Sequence, residues 1–207
     1  MRWTWGAAAV LAMGVIYVAS RWVHAGIVAY HLVCLAAIVR HRKSIRPLFA
    51  WDRRIAAWTV WTTVVIVGGL FLPRLFWDPA TVREKAQAAL FPVEGRGTFF
   101  VLFAAYTLGA HFWLEEVFWR GAFTDVVNVG LPAAVLGNAA GFYLVHVVAL
   151  SWALGWIGVA LALPTALAGA AWGYVTHRTR SIWPALVSHF AADDAILGGM
   201  WFYFVRM

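Results

Sequence analysis

The fold is decided by one apolar stretch, FFVLFAAYTLGAHFWLEEVFWRGAF, which occupies residues 99–123. It is long enough to cross a membrane as a helix, yet it contains the charged side chains Glu115, Glu116 and Arg120. A charge at the centre of a bilayer costs about 3 kcal/mol even on the lenient insertion scales. Two adjacent carboxylates therefore persist there only with partners, a wet cavity or a function. This stretch is predicted to be both a membrane helix and the centre of a functional site.

The composition of the whole chain places it in the membrane. Of 207 residues, 63% are hydrophobic and 12% are charged, and the mean hydropathy of +0.76 is too high for a soluble domain of this length. We therefore expect an all-α polytopic membrane protein embedded in a lipid bilayer. The net charge of +7 comes from bases in short loops, which indicates membrane topology and makes nucleic acid an unexpected partner. The single cysteine, Cys34, excludes an intrachain disulfide.

Apolar runs along the chain predict about seven transmembrane helices. Their expected bounds are 3–20, 22–39, 55–76, 98–128, 132–150, 156–175 and 183–204. A polar segment, 78–97, with a short surface helix starting near Pro79, separates two regions. The N-terminal region, 1–97, holds three of the helices and this segment, and the second region, 98–207, holds the other four.

The loop 40–54 sets the predicted topology. It carries six basic residues and one acidic residue, so it should face the cytoplasm. Because successive spans alternate in direction, the N-terminus and the loop 177–182 should face the cytoplasm as well.

Helical spacing pairs two charges of the central stretch and leaves one unpaired. Glu116 and Arg120 are four residues apart, so they share a helix face and can form a charge-assisted ion pair. Glu115 lies about 100° round the helix from Glu116 and has no such partner. One carboxylate is thus expected to be structural and the other free.

Further polar side chains are expected at the depth of Glu115. The Gly and Pro of segment 128–132 predict a turn, and Glu115 and His146 are equally far from its midpoint in sequence. The last span supplies His189 and Asp193, which are four residues apart and therefore on one face. These four side chains should meet in a membrane cavity. Such a group can activate water for hydrolysis or bind Zn²⁺, and the spacing leaves both open.

Three short motifs occur in order on successive apolar helices. They are EEVFWR at 115–120, FYLVH at 142–146 and HFAAD at 189–193, which fit the patterns EExxxR, FxxxH and HxxxN/D. With these motifs the chain resembles the CAAX-protease and bacteriocin-processing (CPBP or Abi) family of intramembrane endopeptidases. The resemblance covers residues 98–207 and implies that they form the protease core, with the active site among the last four helices.

The resemblance implies a glutamate-dependent intramembrane endopeptidase. Glu115 with His146 would activate the attacking water, and His189 with Asp193 would stabilise the oxyanion. The family is also described as metal-dependent, so the expected cofactor is either none or Zn²⁺ held by the same four residues. The expected substrate is a membrane-anchored protein or peptide, cut near a C-terminal anchor or in a leader or CAAX-like segment. The expected location is the cytoplasmic (inner) membrane of a bacterium, which the chain crosses several times.

The resemblance also implies that Glu116 and Arg120 hold the site together. Asp193 stands where prenyl-protein proteases carry Asn. An ionised Asp cannot donate a hydrogen bond to an oxyanion, so Asp193 is expected either to be protonated or to orient His189.

Other polar residues near the motifs have more than one interpretation. His111 lies four residues before Glu115 and is either a packed side chain or a further ligand or proton partner. His24 and His31 in the second span are interpreted as residues of a helix contact. Asp194 is an alternative to Asp193 as the acidic residue of the site.

Two other functional classes are compatible with buried acids and histidines. In a proton-coupled transporter they would form a relay. Transporters tend to show paired halves with broken helices, whereas here the buried acids lie in one half only. A non-enzymatic immunity or scaffold protein would keep the fold and bind a partner. Transport predicts substrate flux, and a scaffold predicts function without Glu115.

Overall fold

The described part of the chain is built from helices. The computed structural model describes residues 2–20, 22–70, 96–125 and 128–200, and over these residues it contains no strand. The all-α prediction is confirmed for them. The helices are α1 (Trp3–Ser20), α2 (Val23–Ile45), α3 (Arg53–Gly69), α4 (96–123), α5 (Leu131–Leu154), α6 (Trp156–Leu161), α7 (Leu163–Thr179) and α8 (Trp183–Met200).

Several helix ends lie where the sequence favours them. Asp52 caps α3, because its side chain accepts a hydrogen bond from the Ile55 backbone N–H at 2.9 Å. Pro132 lies in the first turn of α5, where its missing N–H would have had no helical partner. The surface helix predicted near Pro79 lies outside the described residues.

Three predictions for the helices differ from the structure. The second helix, expected to end at residue 39, continues to Ile45, with the basic side chains of Arg42 and Lys43 in its last turn, where cations are favourable. The fourth helix, expected to reach residue 128, ends at Phe123, where Arg2 donates to the Ala122 carbonyl at 3.0 Å and so satisfies the end of the helix. The sixth span, expected to be continuous, is interrupted at Ala162 between α6 and α7. Pro164 lies in the first turn of α7 and has no N–H to continue the hydrogen-bond ladder of α6.

The protein is an integral membrane protein. Four helices of the described chain are long and apolar enough to cross a membrane: Trp3–Ser20, His24–Phe49, Leu131–Trp152 and Trp156–Thr179. Large apolar side chains on these helices are 63–70% exposed, as lipid-facing residues would be: Leu11, Val18, Leu136 and Leu167. The count of seven spans stays a prediction, because α3, α4 and α8 are shorter, interrupted or more polar over the described residues.

Contacts between loops agree with the predicted alternation of the spans. The Ser181 hydroxyl donates to the Ala50 carbonyl at 2.7 Å, and a backbone hydrogen bond joins the same two segments. The loop 177–182 therefore lies beside the loop 40–54, on the same side of the helical bundle.

The core includes helices from both predicted regions. Within the second region, α5 and α7 approach closely, since a Cβ at Gly169 would lie 2.7 Å from the Asn138 carbonyl oxygen. Between the two regions, the Trp119 indole N–H donates to the Tyr30 hydroxyl at 2.8 Å. The first two helices thus contribute to the core that surrounds α4.

The helix α4 is irregular around the two carboxylates. It is α-helical over Arg96–Tyr106 and Phe112–Glu116, and π-helical over Thr107–His111 and Val117–Phe123. π-helical turns are rare in proteins, and those that occur are frequently found at functional sites. The sequence analysis predicted an ordinary helix here, and the structure instead places both carboxylates between two widened turns.

Candidate active site

The most deeply buried charges of the site are Glu116 and Arg120, whose side chains are 0% exposed. Arg120 Nη1 lies 3.1 Å from Glu116 Oε1, which is the predicted ion pair. Its angles are not those of a hydrogen bond, so the contact is ionic. The same Glu116 oxygen accepts a hydrogen bond from His189 Nδ1 at 2.8 Å. Glu116 therefore joins α4 to α8, a link that the sequence analysis did not predict.

Aromatic rings from α5 and α7 enclose Arg120 and His189. The guanidinium carbon of Arg120 lies 5.2 Å from the Phe142 ring centre and 5.0 Å from that of Trp172, within cation–π distance. Trp172 also stacks on His189, with ring centres 4.7 Å apart. Its indole N–H donates to the Ser188 hydroxyl at 2.7 Å. These contacts hold the His189 ring in one orientation.

The neighbours of Glu115 are histidines. Its residue is 1% exposed, and its Oε2 has no hydrogen-bond partner among the described residues. That oxygen lies 3.6 Å from His111 Nε2 and 3.8 Å from His189 Nε2, distances too long for direct hydrogen bonds. Unlike Glu116, it forms no ion pair with any arginine that the structure describes. The carboxylate is thus placed among groups that can gain and lose protons.

His146 is held by its own helix, with one ring nitrogen left open. It is half-buried on α5, and its Nδ1 lies 2.8 Å from the Phe142 carbonyl oxygen. A carbonyl can only accept, so the N–H is on Nδ1, and Nε2 of the neutral ring keeps its lone pair. His146 is close enough to Glu115 for the two to interact electrostatically.

His189 and Asp193 share one face of α8, as their spacing predicted. His189 Nε2 lies 3.6 Å from Asp193 Oδ1. Asp193 Oδ2 is buried and has no hydrogen-bond partner among the described residues. The alternative residue, Asp194, is exposed.

Two histidines to which the sequence analysis gave little weight lie beside Glu115. His111 contacts it as described above, which its four-residue spacing from Glu115 already allowed. His31, interpreted as a residue of a helix contact, is 4% exposed, and its ring centre lies 5.0 Å from that of His111. Its position depends on how α2 packs on α4, for which the sequence carries no signal. His24 contacts the aromatic rings of Trp22 and Phe103.

Two groups of side chains have the donor atoms that a metal ion needs. One is His31 with His111 and Glu115, and the other is His111 with His189 and Asp193; within each, the ligand atoms lie within 4.8 Å of one another. His146, part of the ligand set expected from the sequence, belongs to neither. These donors fit Zn²⁺, which would act there as a Lewis acid.

The geometry of this site can be compared with known proteins. Residues 97–194 match the family model described as Type II CAAX prenyl endopeptidase Rce1-like. Over these residues the chain is similar to the CAAX-protease family, and we call residues 97–194 the CAAX-protease region for this similarity. The match includes all three motifs and confirms the resemblance, while no curated protein and no solved structure matches the chain. The match supports the assignment of the protein as a membrane endopeptidase that acts on peptide substrates. His31 lies outside it.

Proposed function

We propose that the protein is a glutamate-dependent intramembrane endopeptidase. It hydrolyses a peptide bond of a membrane-anchored protein or peptide, near a C-terminal anchor or in a leader or CAAX-like segment. The observation that carries this proposal is the environment of Glu115, a buried carboxylate whose neighbours are imidazoles. A carboxylate compensated in this way can accept a proton and return it. The match to an endopeptidase family gives that chemistry its reaction class.

Glu115 acts as the general base. It takes a proton from a water molecule while the water oxygen forms a bond to the carbonyl carbon of the substrate. His146 Nε2, which keeps its lone pair, accepts the second hydrogen of the same water and so orients the attack. When the tetrahedral intermediate collapses, the C–N bond breaks and protonated Glu115 returns its proton to the leaving nitrogen. The products are a carboxylate and an amine.

His189 stabilises the oxyanion of the intermediate. Its Nδ1 is engaged by Glu116, so Nε2 is the atom that an imidazolium can turn to the substrate as a donor. Asp193 orients this ring, or donates itself from Oδ2 when protonated. Glu116 and Arg120 keep the ring and its helix in place and do not react.

The catalytic core of this proposal is region 98–207, and the described helices of the N-terminal region 1–97 pack against it. All seven predicted helices cross the cytoplasmic membrane of a bacterium, and the loops 40–54 and 177–182 face the cytoplasm. The four helices of membrane-spanning length and the contact between these loops support this arrangement. Because the site is buried among the helices, its substrate must reach it from within or beside the bilayer.

The proposal is tested by comparing the C-terminal tails and leader segments of membrane proteins between cells. Four strains are needed: one with the parent protein, one without it, one with Glu115→Gln and one with the control Asp194→Asn. The control removes a carboxylate that is exposed. We expect shortened tails or processed leaders only with the parent and the control. Unchanged processing in the Glu115→Gln strain would instead support a scaffold role.

A further inference from the structure

Glu115 belongs to a second group of titratable side chains, besides the groups that the proposed hydrolysis uses. It consists of His31 from α2 with His111 and Glu115 from α4, and we name it the open cluster. Neither of its histidines has a role in the proposed hydrolysis. Its ligand atoms lie within 4.8 Å of one another, and His111 Nε2 is 3.6 Å from Glu115 Oε2.

Two buried polar atoms of the open cluster have no hydrogen-bond partner within the described part of the chain. They are His31 Nε2 and Glu115 Oε2, and their residues are 4% and 1% exposed. Leaving a buried polar atom unpaired costs about 1–3 kcal/mol, so each such atom calls for an explanation. A ligand that both atoms can bind would account for the two together.

The environment of His31 prepares its Nε2 to bind a metal. Its Nδ1 lies 2.9 Å from the Ile27 carbonyl oxygen, which can only accept, so the proton of the neutral ring is on Nδ1. The Tyr106 hydroxyl lies 2.6 Å from the same nitrogen and holds the ring further. A second hydrogen bond of this kind is the usual support of a metal-binding histidine, because it selects the tautomer and orients the ring.

The donor set selects the class of ion. Two histidines and one glutamate are a known set for Zn²⁺ with an open position, whereas Mg²⁺ and Ca²⁺ prefer oxygen ligands. Tetrahedral bonds of zinc length place neighbouring ligand atoms about 3.4 Å apart. The 3.6 Å between His111 Nε2 and Glu115 Oε2 is already close to this value, and no ligand atom of the group lies more than 4.8 Å from another.

We propose that the open cluster is a Zn²⁺-class metal site and that an ion bound there prevents Glu115 from acting as the base. The inhibitory consequence rests on the proposed function, because the ion takes the oxygen lone pair that must accept the proton from water. The site itself rests on the geometry alone. It would make the CAAX-protease region sensitive to zinc through a residue of α2, which lies outside that region.

The other candidate group, His111 with His189 and Asp193, is less suited. His189 Nδ1 also has a supporting hydrogen bond, to Glu116, so this feature does not distinguish the two groups. The Nε2 atom of His189 lies 3.6 Å from Asp193 Oδ1 and 3.8 Å from Glu115 Oε2. Only one atom of this group, Asp193 Oδ2, is buried without a partner, against two in the open cluster.

The site is tested with the purified full-length protein, first stripped of metal with a chelator. Zn²⁺ and Mg²⁺ are then titrated in separate samples, and the bound metal is measured by elemental analysis and by competition with a chromophoric chelator. We expect one tightly bound zinc per chain and no comparable binding of magnesium. His31→Gln should weaken zinc binding by more than about 100-fold, the upper range for loss of an outer support alone.

Matched variants separate the open cluster from its alternatives. His24→Gln changes a histidine on the same helix, two turns away, and should bind zinc like the parent. Circular dichroism and gel filtration establish that both α2 variants are folded. Should His31→Gln misfold, zinc should be lost in His111→Gln and kept in Asp193→Asn, because His111 belongs to both groups and Asp193 only to the other one. Zinc that survives His31→Gln but is lost in Asp193→Asn would assign the ion to the other group and overturn the proposal.

The inhibitory consequence is tested with a substrate found by the comparison of tails and leaders. Zinc should slow cleavage by the parent, and the ratio of zinc-free to zinc-bound rates should fall towards one in His31→Gln. Zinc that binds the open cluster and raises the rate would overturn both the inhibition and the glutamate-only mechanism. Absence of zinc binding would overturn the metal site alone, since cleavage without metal still supports the proposed function.

Discussion

Two clusters of buried side chains meet on α4, and they differ in how their charges are compensated. In the paired cluster, formed by Glu116, Arg120 and His189, the carboxylate has an arginine at 3.1 Å and a hydrogen bond of 2.8 Å. In the open cluster, the histidine nearest to Glu115 is 3.6 Å away, and no arginine of the described ranges pairs with it. The two carboxylates are neighbours in sequence, yet the helices around α4 present different groups to each.

This difference distinguishes a carboxylate that supports the structure from one that takes part in the reaction. An arginine stays charged at any ordinary pH, so a carboxylate paired with it remains ionised and keeps its position. An imidazole can change its charge near neutral pH, so a carboxylate among imidazoles can exchange a proton with them or with water. We therefore place the structural role at Glu116 and the chemical role at Glu115.

The largest expected effect comes from Glu115→Gln. The amide keeps the size of the side chain but cannot accept the proton, so cleavage should fall by about 10³-fold, within the range attributed to general bases. Folded yield should change little, because the paired cluster is untouched. The measurement is the cleavage rate of the purified protein, with Asp194→Asn as the control. A normal cleavage rate in Glu115→Gln would contradict the assignment of the chemical role to Glu115.

A large effect on stability is expected from Glu116→Gln. It leaves Arg120 buried without a compensating charge, which should lower the free energy of unfolding by about 3–5 kcal/mol. Thermal unfolding in detergent and the folded yield report this change. The double replacement Glu116→Met with Arg120→Met removes both charges and should recover much of the stability. It should not recover cleavage, because His189 then lacks its partner. A single variant that unfolds like the parent would contradict the structural assignment.

A smaller effect is expected at Asp193, which lies beside His189. Asp193→Asn supplies an amide donor of the same shape, so cleavage should persist and should be less sensitive to rising pH, because an amide does not titrate. Asp193→Leu removes the donor and the ring contact, and should reduce cleavage by about 100-fold. Rates measured over a pH series distinguish the two variants. Equal loss in both would indicate that the carboxylate charge itself is required.

The last prediction concerns which ends of the helices face the cytoplasm. The substitutions that test it should not alter activity. In a Cys34→Ala background, a cysteine introduced as Lys43→Cys should be protected from an impermeant thiol reagent in intact cells. One introduced as Ser20→Cys, at the end of α1 that leads into α2, should react. Both positions are exposed in the structure. Labelling in the reverse pattern would invert the topology of the bundle.

Relationships within one helix could be predicted from the sequence. The contact between Glu116 and Arg120 follows from a spacing of four residues, as does that between His189 and Asp193. Most helix bounds follow from apolar runs and from Gly and Pro, although the fourth helix and the sixth span show the limit of that rule. Residue-level periodicity does not reveal the widened turns of α4.

Relationships between helices could not be predicted in the same way. The bond from His189 to Glu116 and the position of His31 beside Glu115 both depend on how each helix is rotated about its own axis. That rotation is set by packing in the whole bundle, and an apolar helix with lipid on one side has no polar face in its sequence to indicate it.

The sequence by itself thus determined the membrane location, the helical class, the three motifs and the local pairs, because these depend on composition and on the period of one helix. Only the tertiary structure decided which carboxylate binds an arginine and a histidine, and which lies among histidines. The physical reason is that a buried charge takes its character from the groups that replace water around it, and those groups come from other helices.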